Sequence, residues 1–275
     1  MWWIVLGFVA SSAVGVAAAL AVARRGEPRL TPPPWNLYDM AKQHVPIMGG
    51  LAGFSITGIV ILVGLARSQP GLSAAAMDTV VVMFFVSFIF YISNAFLLSY
   101  IPSHESNGEI VYRVHFSLAS TMEYRTIFLS WFALMPLLQM HGLMVPASIL
   151  AFVLPLSLLS GTLVIAMVAD SLGLITFKES YVLFGIGTVL VLALAAGTPL
   201  TGIQTQSDYS TLTVSLLIFC LNGLSFAVVG LSPLASRYPR VREFLTRHGR
   251  CLVVIDMLLT TISQMFLWLA VASFI

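Results

Sequence analysis

Apolar residues run along this chain in eight long blocks, at residues 3–23, 45–66, 78–101, 118–140, 146–169, 179–197, 211–233 and 251–274, with short polar stretches between them. Each block is close to the ~20 residues that a helix needs to cross the hydrocarbon core of a bilayer. The pattern predicts an all-α fold: a polytopic membrane protein, a single domain over residues 1–275 built as a bundle of eight transmembrane helices. No intervening stretch is long enough for a folded domain outside the membrane.

The basic residues alternate from loop to loop. Arg24, Arg25, Arg29 and Lys42 follow the first block, Arg113 lies in the third loop and Lys178 in the fifth. Arg237, Arg240, Arg242, Arg247 and Arg250 crowd the seventh. Of the other loops, the second has Arg67 and the fourth and sixth have no Lys or Arg. Cytoplasmic loops carry the excess of Lys and Arg, so the odd loops are expected inside and both termini outside. The small residues from Ala17 to Ala23 suit a signal-peptide cleavage site. The positive charge follows this block instead of preceding it, which predicts an uncleaved helix.

Composition agrees with a lipid-facing surface. Only 9% of residues are charged and 59% are hydrophobic, against about 25% charged in soluble domains. Such a chain has too little charge to cover a water-soluble surface. Placement in the cell membrane as a multi-pass protein is the expectation, with no nucleic-acid partner. Cys220 and Cys251, the only cysteines, fall at different expected depths, which argues against a disulfide.

Ionisable groups inside the blocks are the main candidates for chemistry, because each costs at least ~2.5–3.5 kcal/mol to insert. Glu123, Asp170 and Asp256 are expected in one layer of the cytoplasmic third, with Arg125 beside the first. Residues two apart on a helix point to different sides, so Glu123 and Arg125 are each expected to find a partner on another helix. Three acids facing one intramembrane Arg predict that one is protonated, paired with Lys178 or bound to a cation. Asn94 and Asn222 lie near the expected midplane, either on a polar path or as bonds between helices. Gly49 and Gly53 repeat at four-residue spacing, a pattern that lets another helix approach within the bundle or at a subunit interface, including that of a homo-oligomer.

The segment Pro239 to His248 mixes Val241, Phe244 and Leu245 with arginines. It reads either as a short helix lying on the inner leaflet or as a basic loop. Both predict anionic inner-leaflet lipids near Arg240, Arg242 and Arg247.

Enzymatic motifs are missing. There is no HExxH, GxSxG or phosphate-binding loop, and no cofactor or metal ligand set is expected. His44, His104, His115, His141 and His248 fall in loops or at block edges, which gives no paired ligands for a buried haem. The leading expectation is a transporter or channel for an ion or small solute, proton- or cation-linked. Glu123, Arg125, Asp170 and Asp256 would form its charge cluster. A non-transporting membrane subunit, sensor or assembly factor is the first alternative. A membrane-embedded lipid-modifying enzyme is the second.

Overall fold

The computed structural model describes residues 36–68, 74–101, 110–175, 219–220, 222–235 and 237–272, together with residues 178, 182 and 185. The expected block at 3–23 lies outside the described residues, and so does that at 179–197 apart from 182 and 185. Every element among the described residues is a helix. In chain order these are α1 (Leu37–Ser68), α2 (Ala74–Ser99), α3 (Ile110–Met140) and α4 (Met144–Ser171). They are followed by α5 (Asn222–Ala235) and α6 (Pro239–Ala272). Helix α5 closes in a separate last turn, Ser232–Ala235.

Helix α1 starts well before the expected residue 45. The Asn36 side chain accepts a hydrogen bond from the Tyr38 amide at 2.9 Å, which satisfies one of the free donors of the first turn. Asp39 stands in the same turn, where its charge meets the positive end of the helix dipole. Pro46 lies inside α1 without ending it.

Helix α3 is the hub. It packs against α1, α2, α4, α5 and α6, and Val114, Ala119, Met122, Leu129 and Ala133 are buried along its length. The polar groups on its buried faces must be satisfied from its neighbours, because a buried polar group without a hydrogen bond is costly.

One end of the bundle is tied by polar bonds. His115 near the start of α3 bonds through Nε2 to the Leu97 carbonyl of α2 at 2.9 Å, and through Nδ1 to Ser232 Oγ of α5. Two residues earlier, Arg113 donates to the Leu172 carbonyl past the end of α4 at 2.9 Å. A cation there faces the negative end of the α4 dipole. Gly173 supplies the left-handed residue of that helix end at φ 69°. Its amide bonds Asp170 O and the Leu174 amide bonds Ala169 O, at 2.8 and 3.0 Å, the paired bonds of a glycine-terminated helix.

Close helix contact falls at Gly161 and Gly249. A Cβ on Gly161 of α4 would lie 1.8 Å from the Tyr124 ring of α3, and one on Gly249 of α6 would lie 2.4 Å from Val114 Cγ2. Around Gly49 and Gly53 of α1, nothing among the described residues comes within 4 Å of such a Cβ.

Polar side chains are buried within the apolar core, and large apolar side chains cover much of the outside. Ser87, Asn94, Thr121, Arg125, Asn222 and Thr260 are buried, while Phe54, Val60, Ile61, Phe96, Val145 and Val164 are exposed. Two helical stretches, Leu37–Leu65 and Met77–Ser99, are long and apolar enough to cross a membrane.

Candidate functional site

Arg125 lies midway along α3 and is 1% exposed. Its guanidinium is held by side chains of two other helices. Nε donates to Asn222 Oδ1 at 2.7 Å, and Nη2 to Ser225 Oγ at 2.5 Å, both on α5. Nη1 donates to Asp256 Oδ1 at 2.8 Å and Thr260 Oγ1 at 2.9 Å, both on α6. The planar fork of an arginine presents five N–H donors, and four of them are engaged by these bonds.

A second ring of bonds holds the partners. Ser225 Oγ donates to Asp256 Oδ1 at 2.6 Å. Thr260 Oγ1 donates to the Asp256 carbonyl at 2.6 Å, and Asn222 Nδ2 to Thr126 Oγ1 at 3.1 Å. Helical spacing explains the convergence. Asn222 with Ser225, and Asp256 with Thr260, are three and four residues apart and so share one helix face. On α6 that face runs through Leu245, Gly249, Val253 and Met257, all turned inward.

The network is lopsided at Asp256. Oδ1 accepts from both Arg125 and Ser225, whereas Oδ2 is buried and has no hydrogen-bond partner among the described residues. Asp256 as a whole is 8% exposed.

Glu123 turns the other way. Its Oε2 accepts from His44 Nδ1 of α1 at 2.8 Å. The His44 ring meets Phe116 edge-on, with centroids 5.9 Å apart. This pair is less enclosed, with side-chain exposures of 26% for His44 and 11% for Glu123.

Asn94 serves a separate contact. Its Nδ2 donates to the Ala119 carbonyl of α3 at 3.1 Å and lies 3.8 Å from Met48 Sδ of α1. Its Oδ1 is buried with no hydrogen-bond partner among the described residues. Tyr91, one turn away on α2, bonds Ser130 Oγ at 3.0 Å, and Ser130 donates to the Thr126 carbonyl at 3.1 Å.

Of the expected charge cluster, the structure joins Arg125 to Asp256 and adds Asn222 to them. Glu123 shares their helix level with a different partner. Asp170 stands apart, half-buried at the end of α4, and makes no ion pair with the other three among the described residues. By its bond to Leu172, Arg113 marks the level of that helix end. It is twelve residues from Arg125, about 18 Å at 1.5 Å per residue.

Arg125 and Asp256 sit midway along α3 and α6, because both helices begin before their apolar blocks, at Ile110 and Pro239. The surplus of acids is relieved by His44 and by the partial exposure of Asp170, while Lys178 is exposed. His44 and His115, expected in loops or at block edges, lie inside α1 and α3. Ser225, Thr260 and His44 complete the site, and an Asn-x-x-Asp start at Asn36 is the local signal that places His44 within a helix.

Cys220 and Cys251 are free and exposed. The described residues hold no group of three or more His, Cys, Asp or Glu able to hold a metal ion. The chain matches no protein-family model, no curated protein and no solved structure.

Proposed function

We propose that this chain is a multi-pass integral protein of the cell membrane, an eight-helix bundle with both termini outside, that moves an ion or small solute. Passage is linked to a proton or cation. The exposed apolar surface supports the membrane half of this reading: large apolar side chains face outward where a soluble protein would place charge. Two helical stretches already meet the length and hydropathy of a span.

Asp256 carries the transport half. A buried acceptor without a donor costs about 1–3 kcal/mol, and intramembrane carboxylates mark ion and proton pathways. Its Oδ2 is such an acceptor, in a network otherwise closely bonded. A proton, or a donor group of a passing solute, would complete it. Asn222 and Ser225 line the same junction of α3, α5 and α6, while Glu123 and His44 form a second titratable pair on the opposite side of α3.

The test is flux through the purified protein in sealed vesicles, screened over protons, alkali cations and small solutes. Asp256→Asn keeps the shape of the side chain and its bonds from Ser225 and Arg125. Loss of flux in this variant, with the bundle still folded, is the expected result. Flux equal to that of an active parent protein overturns the reading.

A second reading has one observation in its favour. Four of the five Arg125 donors end on protein side chains of two other helices, which is what a structural clamp requires. A non-transporting membrane subunit would use such a clamp and offer α1, with Gly49 and Gly53 outward, to a partner helix. Co-purification of a stoichiometric partner with an inactive isolated chain selects it.

A further inference from the structure

The geometry points to a binding site for the phosphate of an anionic lipid headgroup on the first turns of α6. Pro239, Arg242, Glu243, Thr246 and Arg247 line a shallow, open groove there. These positions follow the three- and four-residue spacing of a single helix face. The opposite face is fixed to the bundle: Leu245 is 1% exposed and packs with Val111 and Ala235, and Gly249 touches Val114. The segment is therefore the start of a continuous α6 and not a separate helix lying on the leaflet, and its groove is held in register with the bundle.

The chemistry of the groove selects its occupant. Arg242 and Arg247 offer planar donor forks suited to bidentate phosphate contact, and Thr246 adds a hydroxyl. Arg237, Arg240 and Arg250 are exposed around it. Glu243 is the one acid in the lining and subtracts from the attraction. Exposed Leu234, Tyr238 and Phe244 lie beside the arginines. A charged head joined to an apolar body matches that combination, whereas a soluble phosphate leaves the apolar part unused. The inference rests on the membrane reading of the chain and not on transport.

The test uses the full chain in micelles and in vesicles. Flotation with pure phosphatidylcholine vesicles first measures membrane insertion alone, so failure of insertion is distinguished from failure of the site. Native mass spectrometry of the micellar protein then compares retained phosphatidylglycerol with phosphatidylcholine. Each arginine near an anionic surface strengthens binding by about fivefold, so Arg242→Gln with Arg247→Gln lowers the preference for phosphatidylglycerol by roughly thirtyfold. Glu243→Gln raises it. Equal retention of the two lipids overturns the proposal. So do equal losses in Arg240→Gln and Arg242→Gln, which indicate diffuse attraction, and displacement of the lipid by inorganic phosphate, which indicates a soluble-anion site.

Discussion

Glu123 and Arg125 are two residues apart on α3 and are bound to opposite sides of it, Glu123 to His44 of α1 and Arg125 to Asp256 of α6, each at 2.8 Å. A rotation of about 200° separates them on a helix with 3.6 residues per turn. Opposite charges so close in sequence thus do not neutralise each other. They tie the central helix to different neighbours.

The two ties differ in strength because they differ in burial. Removing one partner of a buried ion pair costs about 3–5 kcal/mol, while replacing both with apolar residues of similar size is often neutral. Arg125→Met is expected to destabilise the bundle by that amount, and Arg125→Met with Asp256→Leu by less than Arg125→Met alone. Arg125→Lys is expected to be nearly as harmful as Arg125→Met, since one ammonium cannot reach Asn222, Ser225 and Asp256 in the geometry of the fork. Unfolding in micelles, followed by circular dichroism, measures all three. A double variant worse than either single substitution refutes the clamp.

At His44 the expected loss is small. Partly exposed ion pairs contribute about 0–1 kcal/mol, and His44 keeps 26% of its side chain exposed. His44→Gln retains a donor to Glu123 and is expected to leave the unfolding midpoint close to that of the parent. If transport is linked to this pair, the same variant alters flux while stability holds. A midpoint shift as large as that of Arg125→Met contradicts the ranking.

How much of this was readable from residue order follows from what each feature depends on. The helical class rests on the apolar blocks, which are local. The separate partners of Glu123 and Arg125 rest on helical spacing, also local. The early start of α6 was not legible because the charged turns from Pro239 to Arg250 break the apolar pattern of the block that continues them, although Leu245, Gly249 and Val253 form one face across the join. His44 was missed because the apolar block begins at residue 45, while the helix itself begins at Leu37, after the capping Asn36. The convergence of Asn222 and Ser225 on Arg125 depends on which helices are neighbours, and no local pattern states that.

The same distinction separates the glycines. Gly49 and Gly53 stand out in sequence, yet the tight approaches are at Gly161 and Gly249. Overpacking a filled contact costs about 1–3 kcal/mol. Gly161→Val is expected to destabilise by that amount through Tyr124, and Tyr124→Ala in the same chain to recover part of it. Gly53→Val is expected to leave the stability of the single chain unchanged. If the α1 stripe meets a second copy, Gly53→Val lowers the oligomeric state seen by light scattering without moving the unfolding midpoint. A midpoint drop in dilute monomer shows instead that the stripe packs within the chain.

The two exposed cysteines test the orientation on which every depth depends. Both are free, so a thiol reagent needs only access and an ionised thiol. Cys251 follows Arg250 and His248 on the charged part of α6, and its side chain is exposed. Cys220 is two residues before the Asn222 that binds Arg125, and its exposed side chain faces the surrounding lipid in the proposed bundle. A membrane-impermeant maleimide is therefore expected to label Cys251 in inverted vesicles, to leave it unlabelled in intact cells, and to spare Cys220 in both. Cys251→Ser removes the signal and identifies its source. Labelling of Cys251 from outside the cell inverts the topology and moves the α6 arginines to the outer leaflet. Labelling of Cys220 from either side shows water at the α5 surface, and the helix then lines an aqueous path in place of facing lipid.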